Sequence, residues 1–119
     1  MISNKLTTTN PLLYNITLKI SQELSADWLK AMKEEFLPES TDGKIIVSSQ
    51  INELLIESED GDNTYAVQFT FASTDIFNTE GLPALRKFLE LLDSKFLRKY
   101  VYFTTKMEIL HYCAKSSDN

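Results

Sequence analysis

Thr64-Tyr65-Ala66-Val67-Gln68-Phe69-Thr70-Phe71 is the stretch on which the architecture turns. In an extended chain Tyr65, Val67, Phe69 and Phe71 fall on one side, and Thr64, Ala66, Gln68 and Thr70 on the other. A strand with one aromatic side and one small, uncharged side belongs to a sheet that is covered on a single face. The cover has to come from the rest of the chain.

Working outward, Ser58-Glu59-Asp60-Gly61-Asp62 predicts a hairpin turn, with Gly61 suited to positive φ. Before it, a strand is expected from about Lys44 to the Leu54 region, with Ile45, Val47 and Ile51 on one face. Another covers Leu12 to Ile20, where Tyr14, Ile16, Leu18 and Ile20 alternate with Asn15, Thr17 and Lys19. Between these two strands Leu24, Trp28, Met32 and Phe36 recur every four residues, an amphipathic helix capped within Ser21–Ser25 and expected to stop near Pro38. Thr41-Asp42-Gly43 turns the chain out of it.

Downstream of the central strand, Thr74-Asp75 can cap a short helical turn, and Gly81 to Pro83 restarts the chain into a second helix marked by Leu85, Phe88, Leu89, Leu92 and Phe96. A last strand follows, Val101, Phe103, Thr105, Met107 and Ile109 alternating with Tyr100, Tyr102, Thr104, Lys106 and Glu108. The order β-α-β-β-α-β predicts an α+β, ferredoxin-like sandwich: a four-stranded antiparallel sheet with two helices on one face. The domain is expected over residues 12–112, with a polar arm over 1–11 and a tail over 113–119.

At 119 residues the chain has room for one core, and 43% hydrophobic residues are enough to fill it. The net charge of −5 speaks against nucleic acid, whose binding draws on Lys and Arg placed against phosphates, and against an anionic membrane. No apolar run approaches the roughly 18 residues that cross a bilayer. With one cysteine, Cys113, and no apolar export segment near the start, the expected compartment is a reducing cytoplasm.

Candidates for chemistry are few. One His and one Cys leave carboxylates as the main donors for any metal, and the acidic run Glu57, Glu59, Asp60, Asp62 lacks the spacing of a calcium loop. No metal and no cofactor are therefore expected. His111 and Cys113 lie two residues apart near the end, without a pocket or oxyanion donor around them. Gly43, Gly61 and Gly81 each suit a turn, which leaves no phosphate cradle. An RNA-recognition reading of the same element order fails because the open positions of the central strand are Ala66, Gln68 and Thr70, not aromatics.

The open face is then the informative surface. Asn15, Thr17, Ala66, Gln68, Thr70, Tyr102 and Thr104 are its expected members, too polar for a dry core and too uncharged for a free surface. Such a face suits a second copy packed sheet to sheet, or a small ligand.

Tyr14-Asn15-Ile16-Thr17, Asp27-Trp28-Leu29-Lys30-Ala31-Met32-Lys33-Glu34-Glu35, Thr64–Phe69 and Pro83-Ala84-Leu85-Arg86 stand in an order and spacing that resembles a small bacterial family known as domain of unknown function 4286. The resemblance covers roughly residues 12–110 and implies a ferredoxin-like, dimeric α/β-barrel domain, with no activity attached. Two positions depart from it: Phe36 precedes Leu37-Pro38 where the family has a His before Ile-Pro, and Thr104 stands where the family has an Arg. Chemistry resting on either residue does not carry over.

The expected function is thus a non-catalytic dimeric module, structural or ligand-binding. The alternative is a cofactor-independent enzyme of the dimeric α/β-barrel monooxygenase or isomerase type, its pocket between helices and sheet lined by Tyr14, Trp28, Phe36 and Tyr65.

Overall fold

A computed structural model describes residues 9–57 and 59–116. The chain runs β1 (Leu12–Ser21), α1 (Gln22–Ala31), a π-helical turn (Met32–Phe36), α2 (Leu37–Ser40), β2 (Ile46–Glu53), β3 (Asp62–Phe71), α3 (Thr74–Ile76), a second π-helical turn (Phe77–Gly81), α4 (Leu82–Phe96) and β4 (Tyr100–Glu108). The strands form one antiparallel sheet in the order β2-β3-β1-β4. This is the ferredoxin-like arrangement expected from the element order.

The alternation in β3 decides the layering. Tyr65, Val67, Phe69 and Phe71 are buried beneath the helices together with Ile16, Leu18 and Ile20 of β1. The helices answer with Trp28, Met32 and Phe36 from the first and Leu85, Phe88, Leu92 and Phe96 from the second. Rings interlock across the layers: Trp28 on Tyr65 at 4.6 Å, Phe69 edge-on to Phe88 at 4.9 Å, and Phe71 edge-on to Phe77 at 4.9 Å. Offset and edge geometries of this kind add roughly 0.5–1.5 kcal/mol per pair beyond burial.

Both helices run farther than the prolines suggest. The first does not stop before Pro38; it passes through a π turn, closed by the Leu37 N–H donating to the Met32 carbonyl, and continues to Ser40 with Pro38 in the first turn of α2. The second likewise continues from Thr74 to Phe96 through its own π turn, with Pro83 in the first turn of α4. A widened turn just before proline removes the need for the N–H that proline lacks and gives its ring room. Ser73, not Thr74 or Asp75, caps this helix: its hydroxyl accepts from the Ile76 N–H at 3.0 Å.

A register shift between Ile46 and Ser48 changes the parity of β2, so Ile46 and Ile51 face the core whereas Val47 is exposed. A bulged residue breaks strict alternation, and no pattern of period two anticipates it. Asn10 and Pro11 are tied into the fold: the Asn10 carbonyl accepts from the Thr74 N–H at 2.9 Å, and the Pro11 carbonyl from the Ile109 N–H at 2.8 Å. The polar arm before residue 9 lies outside the described residues. Gly61 takes the expected positive φ, 78°.

Gly81 is buried where the π turn meets α4, and a Cβ there would stand 2.5 Å from the Phe77 ring. That ring is held by Tyr14 and Phe71, so it has little room to yield. Gly→Ala in a helix ordinarily stabilises by about 1 kcal/mol, while overpacking a core costs roughly 1–3. Gly81→Ala is expected to destabilise the fold by on the order of 1 kcal/mol, seen as a lower urea midpoint; an unchanged or raised midpoint means the ring gives way freely.

Asp42 braces the entry to β2, one carboxylate oxygen accepting from the backbone N–H groups of Lys44, Ile45 and Ile46 at 2.9, 2.9 and 3.1 Å. These bonds, that of Lys44 foremost, hold its pKa below the ordinary 3.8. A depressed carboxylate stabilises the fold fully above its unfolded pKa and loses that contribution as pH falls through the folded one. Asp42→Ala is therefore expected to lower the urea midpoint at pH 7, and the gap to the parent should narrow by pH 3. A gap independent of pH contradicts the assignment.

Candidate interface on the open sheet face

The registers of the three strand pairs place the open face as a grid. Its rows across β2, β3, β1 and β4 are Ser48-Thr70-Leu13-Met107, Gln50-Gln68-Asn15-Thr105, Asn52-Ala66-Thr17-Phe103, and Thr64-Lys19-Val101, the last bounded by Leu54. Amides crowd the β2–β3 half. Gln50 donates to Gln68 at 3.2 Å and to Asn52 at 3.1 Å, and Asn52 donates to the Ala66 carbonyl at 3.3 Å. Along β4 the grid turns apolar: Val101 is 66% exposed, Phe103 62% and Met107 39%. Lys19 is the one charge in these rows, and its ammonium is paired with Asp60 at 2.6 Å, which raises its pKa.

At the centre Asn15 donates to Thr17 at 2.8 Å, while its side-chain oxygen is buried without a donor. A buried carbonyl left unpaired costs about 1–3 kcal/mol. The centre of the grid thus has an acceptor to spare.

The expected members divide. Asn15, Thr17, Ala66, Gln68 and Thr70 share this face. Tyr102 and Thr104 do not, because they register with Leu18 and Ile16 and stand on the helix side of β4. Directly opposed residues of an antiparallel pair point to the same face, so β1 decides the parity of its neighbour. Val101, Phe103, Thr105 and Met107 take their places. The alternation within β4 alone could not separate the two sets, since each carries aromatic or aliphatic groups; only the β1–β4 register does so. On the helix side the Tyr100 hydroxyl donates to Asp93 at 2.7 Å, and burial, then that contact, pushes its pKa upward.

One end of the grid deepens into a cleft of about 960 Å³ between Leu54 and Ile56, which follow β2, and Val101 and Phe103 at the start of β4. Thr17, Lys19 and Thr64 form its floor, and Glu57 and Glu59 stand on its rim.

The four aromatics expected to line an internal pocket are packed instead. Trp28, Phe36 and Tyr65 have essentially no exposed surface, and half-buried Tyr14 stacks on Phe77 at 5.7 Å. Trp28 and Tyr65 meet each other, Phe36 lies under the Lys95 ammonium, and none of the four borders the cleft. His111 and Cys113 lie past the end of β4 in exposed, irregular chain. Among the described residues no three His, Cys, Asp or Glu side chains stand close enough to hold a metal ion. No described helix is long and apolar enough to cross a membrane.

Two solved structures share the fold at low sequence identity. A dimeric ferredoxin-like protein from an uncultured marine organism superposes with a TM-score of 0.55 at 11% identity, over 87% of this chain and 99% of that one. The de novo designed protein Foldit4 gives 0.56 at 9% identity, over 83% and 98%. No curated protein matches in sequence. The family model named domain of unknown function (DUF4286) matches residues 11–110, and the chain belongs to that family.

Proposed function

We propose that this chain is a non-catalytic module that acts as a homodimer, two copies pairing through their open sheet faces in a reducing, cytoplasmic setting and without nucleic acid or membrane. The observation that carries the reading is the β4 side of the grid, where Val101, Phe103 and Met107 lie uncovered beside rows of uncharged amides and hydroxyls. A chain of net charge −5 repels its own kind, so an interface has to form where charge is absent, and the grid is that place. The marine ferredoxin-like protein, described as dimeric, is a precedent for the architecture. The enzyme alternative has less support, because its pocket aromatics fill the core.

Light scattering coupled to size exclusion at micromolar concentration should return twice the chain mass. Phe103→Glu, which sets two like charges into the apolar stripe, is expected to weaken pairing at least tenfold, about 1.4 kcal/mol or more. It should leave the circular dichroism spectrum unchanged, since Phe103 contributes nothing to the core. A parent protein that is cleanly monomeric contradicts the proposal.

A further inference from the structure

We infer that the paired copies exchange their C-terminal segments, the tail after β4 of each lying in the partner's cleft between Val101, Phe103, Leu54 and Ile56. The inference rests on the self-pairing reading and adds to it an orientation and a second contact. Beyond Glu108 the chain continues without secondary structure, and Leu110 and Tyr112 are 79% and 81% exposed. Two residues apart, they fall on one side of an extended segment. Lys115 follows. The cleft offers the complementary surface: apolar walls of Val101, Phe103, Leu54 and Ile56, and at its rim Glu57 and Glu59, which form no ion pair among the described residues. Anchors at alternate positions set into apolar pockets, with charge at the margin, are how extended segments are held.

Within one copy, tail and cleft lie at opposite ends of β4. Phe103 and Leu110 are separated by roughly 23 Å of extended chain, so a tail entering its own cleft must reverse direction. Pairing removes that difficulty. The grid is segregated, amides toward β2 and apolar groups along β4, and two stacked copies can match like with like or set one half on the other. Setting amides on the apolar stripe strands their polar groups at about 1–3 kcal/mol each. Like on like requires a two-fold axis across the strands. The two β4 strands then lie antiparallel, and the end of each comes over the start of the other, where the cleft is.

Size leads to the same arrangement. Four strands by about seven residues project roughly 19 by 23 Å, so two faces bring together about 900 Å². That is at the lower edge of the roughly 1,000 Å² that a specific interface needs, and two exchanged tails take it above.

Cys113, the chain's single cysteine, sits in the tail and serves as a probe. A second cysteine is introduced at the cleft rim by Glu57→Cys or Glu59→Cys, and the protein is mildly oxidised, then resolved on a non-reducing gel beside light scattering. The expected result is a covalent dimer in at least one variant, well above the parent's background, lost when Cys113→Ser is added. Leu110→Ser with Tyr112→Ser should reduce that product and weaken pairing at least tenfold. A protein that is dimeric by light scattering yet gives no rim-specific cross-link, or closes the bond within one chain, overturns the exchange and leaves face pairing standing. A monomer under all conditions overturns both.

Discussion

The locked parity of two neighbouring strands organises everything else in the fold. Once β1 and β3 pair in register, Ile16, Leu18 and Ile20 point the same way as Tyr65, Val67, Phe69 and Phe71, and a slip of one residue would turn one strand's whole set to water while the other kept its place. Each such side chain stabilises the fold by roughly 1.5–3 kcal/mol when buried, so no alternative register competes. The helices settle on that apolar side, and everything left over becomes the open grid. Core and candidate interface are therefore one decision, taken by the same alternation.

That dependence explains what could be read from the chain and what could not. Strands with a strong contrast between their two sides, β1 and β3, were legible residue by residue. β4 was legible as a strand but not in its facing, because Tyr100 and Tyr102 look as apolar as Val101 and Phe103 until the register with β1 separates them. The cleft was invisible, since it joins Leu54 and Ile56 to Val101 and Phe103 across the width of the sheet. Val47 was misplaced by a local bulge, a backbone event with no mark in the hydrophobic pattern.

The helices teach the same lesson from local chemistry. Leu37-Pro38 and Leu82-Pro83 each follow a π turn, Met32–Phe36 late in the first helix and Phe77–Gly81 early in the second. Proline reads as a stop when only the missing hydrogen bond is considered. A widened turn before it absorbs that loss, and the π turns themselves set Phe36 and Phe77 into the core.

One side of the sheet is sealed by the helices, and the other is the face proposed to meet a second copy. Amide hydrogen exchange measured at nanomolar and at tens-of-micromolar chain concentration tests it most directly. Protection that rises with concentration along β4, the tail and the centre of the grid, with the outer surfaces of α1 and α4 unchanged, is the predicted result. Protection that rises on the helices instead, or nowhere, contradicts it.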